Sequence, residues 1–202
     1  MSLNVLKAAA DAESADGLHL ARLLVLLRSA DKANKDKPKP IEGITKLAKL
    51  DFLLRYPIYL ERALIRLGKS PDAAAVMPRE RTTIETKMIR FRYGPWDGRY
   101  RRWLSLLSAR GLITLSMSGR KIEIGLTDGG RAAADDLIAR PTFRDFADRG
   151  GVVIKTVGSM PATKLKDFVY EIVPEITGMK WGEEIAPLAR GDLALDLRGD
   201  GS

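Results

Sequence analysis

The chain of 202 residues contains no cysteine and one histidine, His19. The first absence excludes disulfides, thiolate zinc sites and cysteine nucleophiles. The second leaves a Ser-His-Asp triad only His19 to recruit, and His19 lies inside the leucine-rich run LHLARLLVLLR at 18–28, where it reads as structural. A zinc site lacks its usual ligands. The acidic pairs Glu183–Glu184 and Asp135–Asp136 are adjacent in sequence and point apart on regular structure. No Gly-x-x-x-x-Gly-Lys-Ser/Thr cradle for phosphate is present. We therefore expect no enzyme activity, no metal and no cofactor. Long apolar runs are also missing: none without a charge exceeds the five residues of LLVLL at 23–27, far short of a bilayer span. The first residues, MSLNVLKAAADAESADG, lack a basic segment followed by an apolar one. A cytoplasmic protein with no membrane partner is the expectation.

Negative charge is the scarcer sign. Thirty-four Lys/Arg against 26 Asp/Glu leave a net charge of +8. The excess is concentrated: residues 81–131 hold eleven Lys/Arg against four acidic residues, Glu85, Asp97, Glu123 and Asp128, while 181–202 is net acidic. A cationic concentration of this kind points to a polyanionic partner.

Periodicity gives the order of elements. Leu20, Leu23, Leu24 and Leu27 recur at helical spacing, predicting a core helix from a cap near Ser14 or Asp16, after a flexible segment at 1–14. DKANKDKPKP at 31–40 reads as an exposed loop. A second helix is expected over 43–57, capped by Thr45, with Ile44, Leu47, Leu50 and Leu54 buried and Pro57 as its stop. A third follows at 57–68, then a linker at 69–82. Ile84–Tyr93 alternates as a strand, GPW reads as a turn, and Asp97 caps a helix over 98–110. LITLSM and KIEIGL form a hairpin at 112–126, joined at Ser118–Gly119. Thr127 or Asp128 caps the next helix. Residues 140–185 read as a C-terminal helical extension and 186–202 as a disordered tail. The fold class is mainly α with a small β-hairpin wing (α+β). The order is that of a winged helix-turn-helix, spanning 15–139, with extra N- and C-terminal helices.

Four stretches carry a resemblance. KLAKLDFLL (46–54), RYGPW (92–96), LSLLSARGLI (104–113) and LTDGGR (126–131) resemble a common prokaryotic winged-helix pattern. That pattern runs Lys-Leu-x-Lys-Leu-x-Phe-Leu-Leu, Tyr-Gly-Pro, Leu-x-x-Leu-x-x-x-Gly-Leu-Ile, Leu-Thr-x-x-Gly. Its Gly-Leu-Ile and Leu-Thr-x-x-Gly parts also occur across MarR-like and PadR-like regulators. Other proteins of the pattern are accessory or middle components encoded beside ATPases in bacterial conflict systems. The resemblance covers roughly 15–139 and leaves the segment after 141 outside.

In such a fold the helix 98–110 enters the major groove of double-stranded DNA and the hairpin flanks it on the backbone. Tyr100, Trp103, Leu104 and Leu107 share one face of that helix, while Arg101, Arg102 and Ser105 point the other way, with Arg99 at the boundary. Arg101 and Arg102 are the natural candidates for guanine or phosphate. Arg120 and Lys121 sit at the wing tip, in reach of phosphate or the minor groove. Arg90 and Arg92 flank Phe91 and alternate outward. The plainer alternative is a solvated surface whose arginines pair with acids elsewhere, and a wing tip whose charge discourages edge pairing. Trp96, Tyr100 and Trp103 fit the core better than base stacking. Phe143, Phe146, Leu165, Phe168 and Ile172 on the C-terminal helices either form a dimer or partner surface or close the protein's own core. The functional expectation is a homodimeric DNA-binding regulator or DNA-engaging accessory factor. The alternative is a non-catalytic adaptor whose basic face meets a protein partner in a multi-subunit bacterial system.

Overall fold

A computed structural model describes residues 3–33, 38–76, 88–91 and 94–185 of the chain. It is mainly helical, with one small antiparallel sheet and a separate two-stranded ribbon.

The first helix, α1, spans Leu3–Ala33. It starts before the expected cap because the alanine-rich KAAADAESAD has high intrinsic helix propensity. Asp16 therefore sits inside the helix, where its carboxylate accepts from Trp103 Nε1 at 2.8 Å instead of capping. A two-residue strand that the sequence reading lacks, β1 (Ile41–Glu42), precedes α2 (Ile44–Arg55) and α3 (Pro57–Arg66). The cap of α2 is Gly43 rather than Thr45, with φ 89°. Pro57 occupies the first turn of α3, where its missing N–H costs nothing. Within the expected linker, Pro71–Ala74 forms a short 3-10 turn, and Arg149 donates to the Ala74 and Ala75 carbonyls.

The ribbon corrects one expectation. GPW is not a turn but the strand β3 (Gly94–Trp96), paired antiparallel with β2 (Ile89–Phe91) in the register Ile89↔Trp96. Gly94 adopts φ 105°, which a residue with a side chain resists. Residues 84–87, where the expected strand begins, lie outside the described residues, as do Arg92, the remainder of the linker from 77 and the tail 186–202.

Helix α4 (Tyr100–Ala109) leads through Gly111 into β4 (Ile113–Ser118) and β5 (Lys121–Leu126). The hairpin turn is Gly119–Arg120, one residue later than read from sequence, because Ser118 pairs with Lys121. Gly119, at φ 60°, takes the first central position of that turn. The sheet order is β1-β5-β4, with Ile41 opposite Ile124. Thr127 caps α5 (Asp128–Ala139) by accepting from Gly130 N at 2.9 Å. Helices α6 (Pro141–Val157), α7 (Ala162–Ile172) and the short α8 (Glu175–Gly178) complete the chain.

One hydrophobic cluster runs through all of this. Leu23 and Leu26 of α1, Leu47 and Phe52 of α2, Trp103 and Leu107 of α4, Ile124 of β5, Val153 of α6 and Val169 of α7 belong to it. Of the two readings open for the C-terminal helices, closure of the protein's own core accounts for Leu165, Phe168 and Ile172, which are buried.

Candidate nucleic-acid interface

The outward face of α4 exists because its inward face is committed. Tyr100, Trp103 and Leu107 are fully buried and Leu104 nearly so, at the helical spacing read from sequence. The ring of Tyr100 meets that of Trp103 edge-on at 5.4 Å, and Trp96 packs against Tyr100 at the same distance. Arg101, Arg102 and Ser105 are left exposed on the opposite side, with Ala109 and Arg110 at the far end.

A buried polar network fixes where this helix sits. Asp51 of α2 has no exposed surface. Its carboxylate accepts from Arg22 Nε at 2.6 Å, Arg55 Nε at 2.9 Å and the Tyr100 hydroxyl at 2.6 Å, tying α1, α2 and α4 to one anion. Burial pushes the carboxyl up, but the Arg22 and Arg55 guanidiniums override it and hold Asp51 well below the usual carboxylate range. The Tyr100 phenol is pushed well up, by burial and by the Asp51 charge. Arg55 also donates to Asp97 Oδ2 at 3.2 Å. His19 completes the network: Arg22 Nη1 lies 2.9 Å from His19 Nδ1, and because a guanidinium only donates, Nδ1 accepts and the ring proton sits on Nε2. Burial, then the charges of Arg22 and Arg55, lower the His19 pKa to about 4. The histidine is a neutral structural group whose ring centre lies 4.3 Å from that of Trp103, tilted by 35°.

The eight cation and hydroxyl candidates divide into distinct groups. Arg101 and Arg120 are exposed and form no ion pair among the described residues, and Ser105 is exposed beside Arg101 and Arg102. Arg110 shares the condition of Arg101 and Arg120, though the sequence reading did not select it. Arg99, Arg102 and Lys121 are exposed but paired. Arg99 meets Asp97 at 2.9 Å and lies over the Trp103 ring at 4.8 Å. Arg102 meets Asp16 at 2.7 Å, and Lys121 meets Glu42 at 2.8 Å. Arg90 is a correction. It does not point outward; its side chain is part-buried and donates to the Met179 carbonyl, because residues 182–185 run along the outer edge of β2. Arg92 lies outside the described residues.

Charge placement on α4 runs against the local rule. A helix N-terminus carries partial positive charge and favours acids, yet the first turn of α4 holds Arg101 and Arg102 and no acid. The acid lies just before the helix instead: the buried Asp97 carboxylate accepts from Arg99 N at 3.0 Å, as the expected cap residue does. The partners Asp16, Glu42 and Asp97 and the network around Asp51 were not expected from sequence. A signal for the last was present: Asp51 and Arg22 are charged residues inside otherwise apolar helical stripes. Among the described residues, no group of three His, Asp or Glu converges as a metal site, and no helix is long and apolar enough to cross a membrane.

No family model, curated protein or solved structure matches the chain.

Proposed function

We propose that the protein is a winged-helix DNA-binding protein, with α4 in the major groove of duplex DNA and the β4–β5 hairpin on the backbone. The observation that carries this reading is the joint exposure of Arg101, Arg102 and Ser105 on α4 and of Arg120 at the tip of the hairpin that follows it. The element order supports it. A short strand pairs with the second wing strand, and the helix before the wing is docked on α1 and α2. An insertion, 57–99, separates α2 from α4. The resemblance of 46–54, 92–96, 104–113 and 126–131 to prokaryotic winged-helix proteins points the same way.

Among the described residues of α4 and the hairpin, Arg101, Arg110 and Arg120 are free to meet phosphate without first breaking an internal pair. Neutralising three phosphates gives a slope of about −3 in log affinity against log salt. Binding of a random duplex across a salt series should show such a slope, and Arg101→Ala combined with Arg120→Ala should reduce it by about 2. A slope near zero, or no change in the double variant, overturns the reading.

A further inference from the structure

The wing has an apolar face that runs past the edge of the core. Ile113 faces Leu126, Leu115 faces Ile124 and Met117 faces Ile122, so these six residues share one side of the hairpin. At its base Ile113, Ile124 and Leu126 are buried; toward the tip Leu115 is 44 % and Met117 67 % exposed. The other side of β4 presents Thr114, Ser116 and Ser118, all exposed.

β4 is also an edge strand. The sheet ends at β4, and its other edge, β1, is only two residues long. Proteins blunt open edges with charge, proline or a bulge. β4 has none of these: its sequence is ITLSMS, and its register against β5 is unbroken over six pairs.

The ladder geometry specifies what pairs with it. Ser118 and Lys121 close a two-residue turn and form a hydrogen-bonded pair, so Ser118, Ser116 and Thr114 direct their backbone groups at β5. By alternation, Leu115 and Met117 direct theirs outward. An antiparallel strand centred on Ser116 places Leu115 opposite Met117 of a second copy, and Met117 opposite its Leu115, with both outward-directed backbones exchanging N–H···O=C bonds. The same register sets Ser116 against Ser116 and Thr114 against Ser118, so apolar meets apolar and hydroxyl meets hydroxyl across a two-fold axis. Any register centred on one residue pairs positions of like parity, so a second copy always meets this open, uncharged edge with Leu115 and Met117 on one side and the hydroxyls on the other. Pairing of this hand sends the two Arg120 tips in opposite directions, which limits repulsion between chains of net charge +8.

We propose that β4 is a self-association edge, through which two copies join their three-stranded sheets into one continuous six-stranded sheet. This goes beyond the nucleic-acid reading and does not depend on it, since it leaves Arg101, Arg110 and Arg120 outside the paired segment 114–118.

The chain's lack of cysteine supplies the test. In an antiparallel pair without mutual hydrogen bonds the Cα atoms lie about 4.5 Å apart, within disulfide range. Ser116→Cys should therefore form a covalent dimer on mild oxidation. Ser159→Cys, exposed between α6 and α7, should not. Light scattering of the wild-type chain over a concentration series should show a monomer–dimer equilibrium. Ser116→Lys, which opposes two ammonium groups at the axis on an exposed position, should shift it to monomer with the circular dichroism spectrum unchanged. A wild type that stays monomeric throughout, a Ser116→Cys that cross-links no faster than Ser159→Cys, or a Ser116→Lys that remains dimeric would each overturn the proposal. None of these outcomes depends on whether the protein binds DNA.

Discussion

Lys49 shows how far one residue can depart from its local rule. It is 2 % exposed, with no carboxylate partner among the described residues, and its ammonium donates to the Thr45 carbonyl one turn back at 3.0 Å. Burial, helped by the nearby Lys166 charge, lowers its pKa to about 8 from the 10.5 of a free lysine. A lowered folded value means that the unfolded chain binds more protons between those two values. Stability therefore rises as pH increases from about 8 to 10.5, and the charged amine is a constant penalty below that window. Lys49→Met keeps the buried stem and removes the charge, so it should stabilise the protein at pH 7 by roughly 1–3 kcal/mol. Urea denaturation at pH 7 and pH 9.5 would check this; a variant that retains the wild-type rise with pH would clear Lys49 of the effect. Within KLAKLDFLL, Leu47, Leu50 and Leu54 were legible as core from their spacing, whereas Phe52 and Leu53, which are equally buried, were not marked by it. The burial of Lys46 and Lys49 was not legible either, because a lysine at a helix position does not reveal which helices pack over it.

At the scale of elements, the junction between α4, the β4–β5 hairpin and α5 depends on one glycine. Thr127 Oγ1 accepts from Gly130 N and donates to the Gly111 carbonyl at 2.7 Å, while Thr127 N donates to the Leu112 carbonyl at 3.2 Å. A Cβ on Gly130 would lie 1.8 Å from the Leu112 oxygen, a backbone atom that cannot swing away. Gly130→Ala must move α5 away from the base of the β4–β5 hairpin and should cost roughly 2–4 kcal/mol. Gly129→Ala, whose nearest neighbour would be the Thr127 hydroxyl at 3.7 Å, should be neutral or stabilising by about 0.5 kcal/mol. Thermal melts of the two variants separate these outcomes, and equal melting temperatures would refute the close approach. The stretch LTDGGR announced a capped helix in sequence. Which of its two glycines is indispensable follows only from the return of the chain to Leu112. The turn at Gly119–Arg120 and the strand GPW were misplaced for a related reason: both depend on the partner strand, which sequence spacing does not show.

At the scale of the whole molecule, Asp51 joins three helices that are far apart in the chain. Removing its charge leaves Arg22 and Arg55 buried without their shared anion, so Asp51→Asn should cost about 3–5 kcal/mol. Its folded pKa is depressed, so this contribution is present above the ordinary carboxylate pKa and is lost as pH falls below it. Asp135→Asn removes the partner of Arg28 and Lys32 at a site where Asp135 is 44 % exposed, and should cost less than about 1 kcal/mol. Chemical denaturation at neutral pH compares them; similar losses would mean that the Asp51 network does not hold the helices together. Because Asp51 also accepts from Tyr100, its loss should loosen α4 and weaken any binding that uses the outward face of that helix.

What the sequence determined by itself was whatever depends on neighbours in the chain. The helices, the hairpin and the Thr127 cap follow from spacing and capping, which act within a few residues, and so does the assignment of Tyr100 and Trp103 to the core. The concentration of positive charge between 81 and 131 was equally plain. Only the tertiary structure decided which of those cations are free. Asp97 lies two residues from Arg99 and could have been read as its partner. Asp16 reaches Arg102 from the first helix, Glu42 reaches Lys121 from a strand before the second, and the Met179 carbonyl takes Arg90 from near the end of the described chain. Coulombic pairing acts through space between elements whose juxtaposition is set by burial of their apolar faces. The pattern of charges along the chain therefore marked the candidate surface, and among the described residues the packing of the core left Arg101, Arg110 and Arg120 as its unpaired cations.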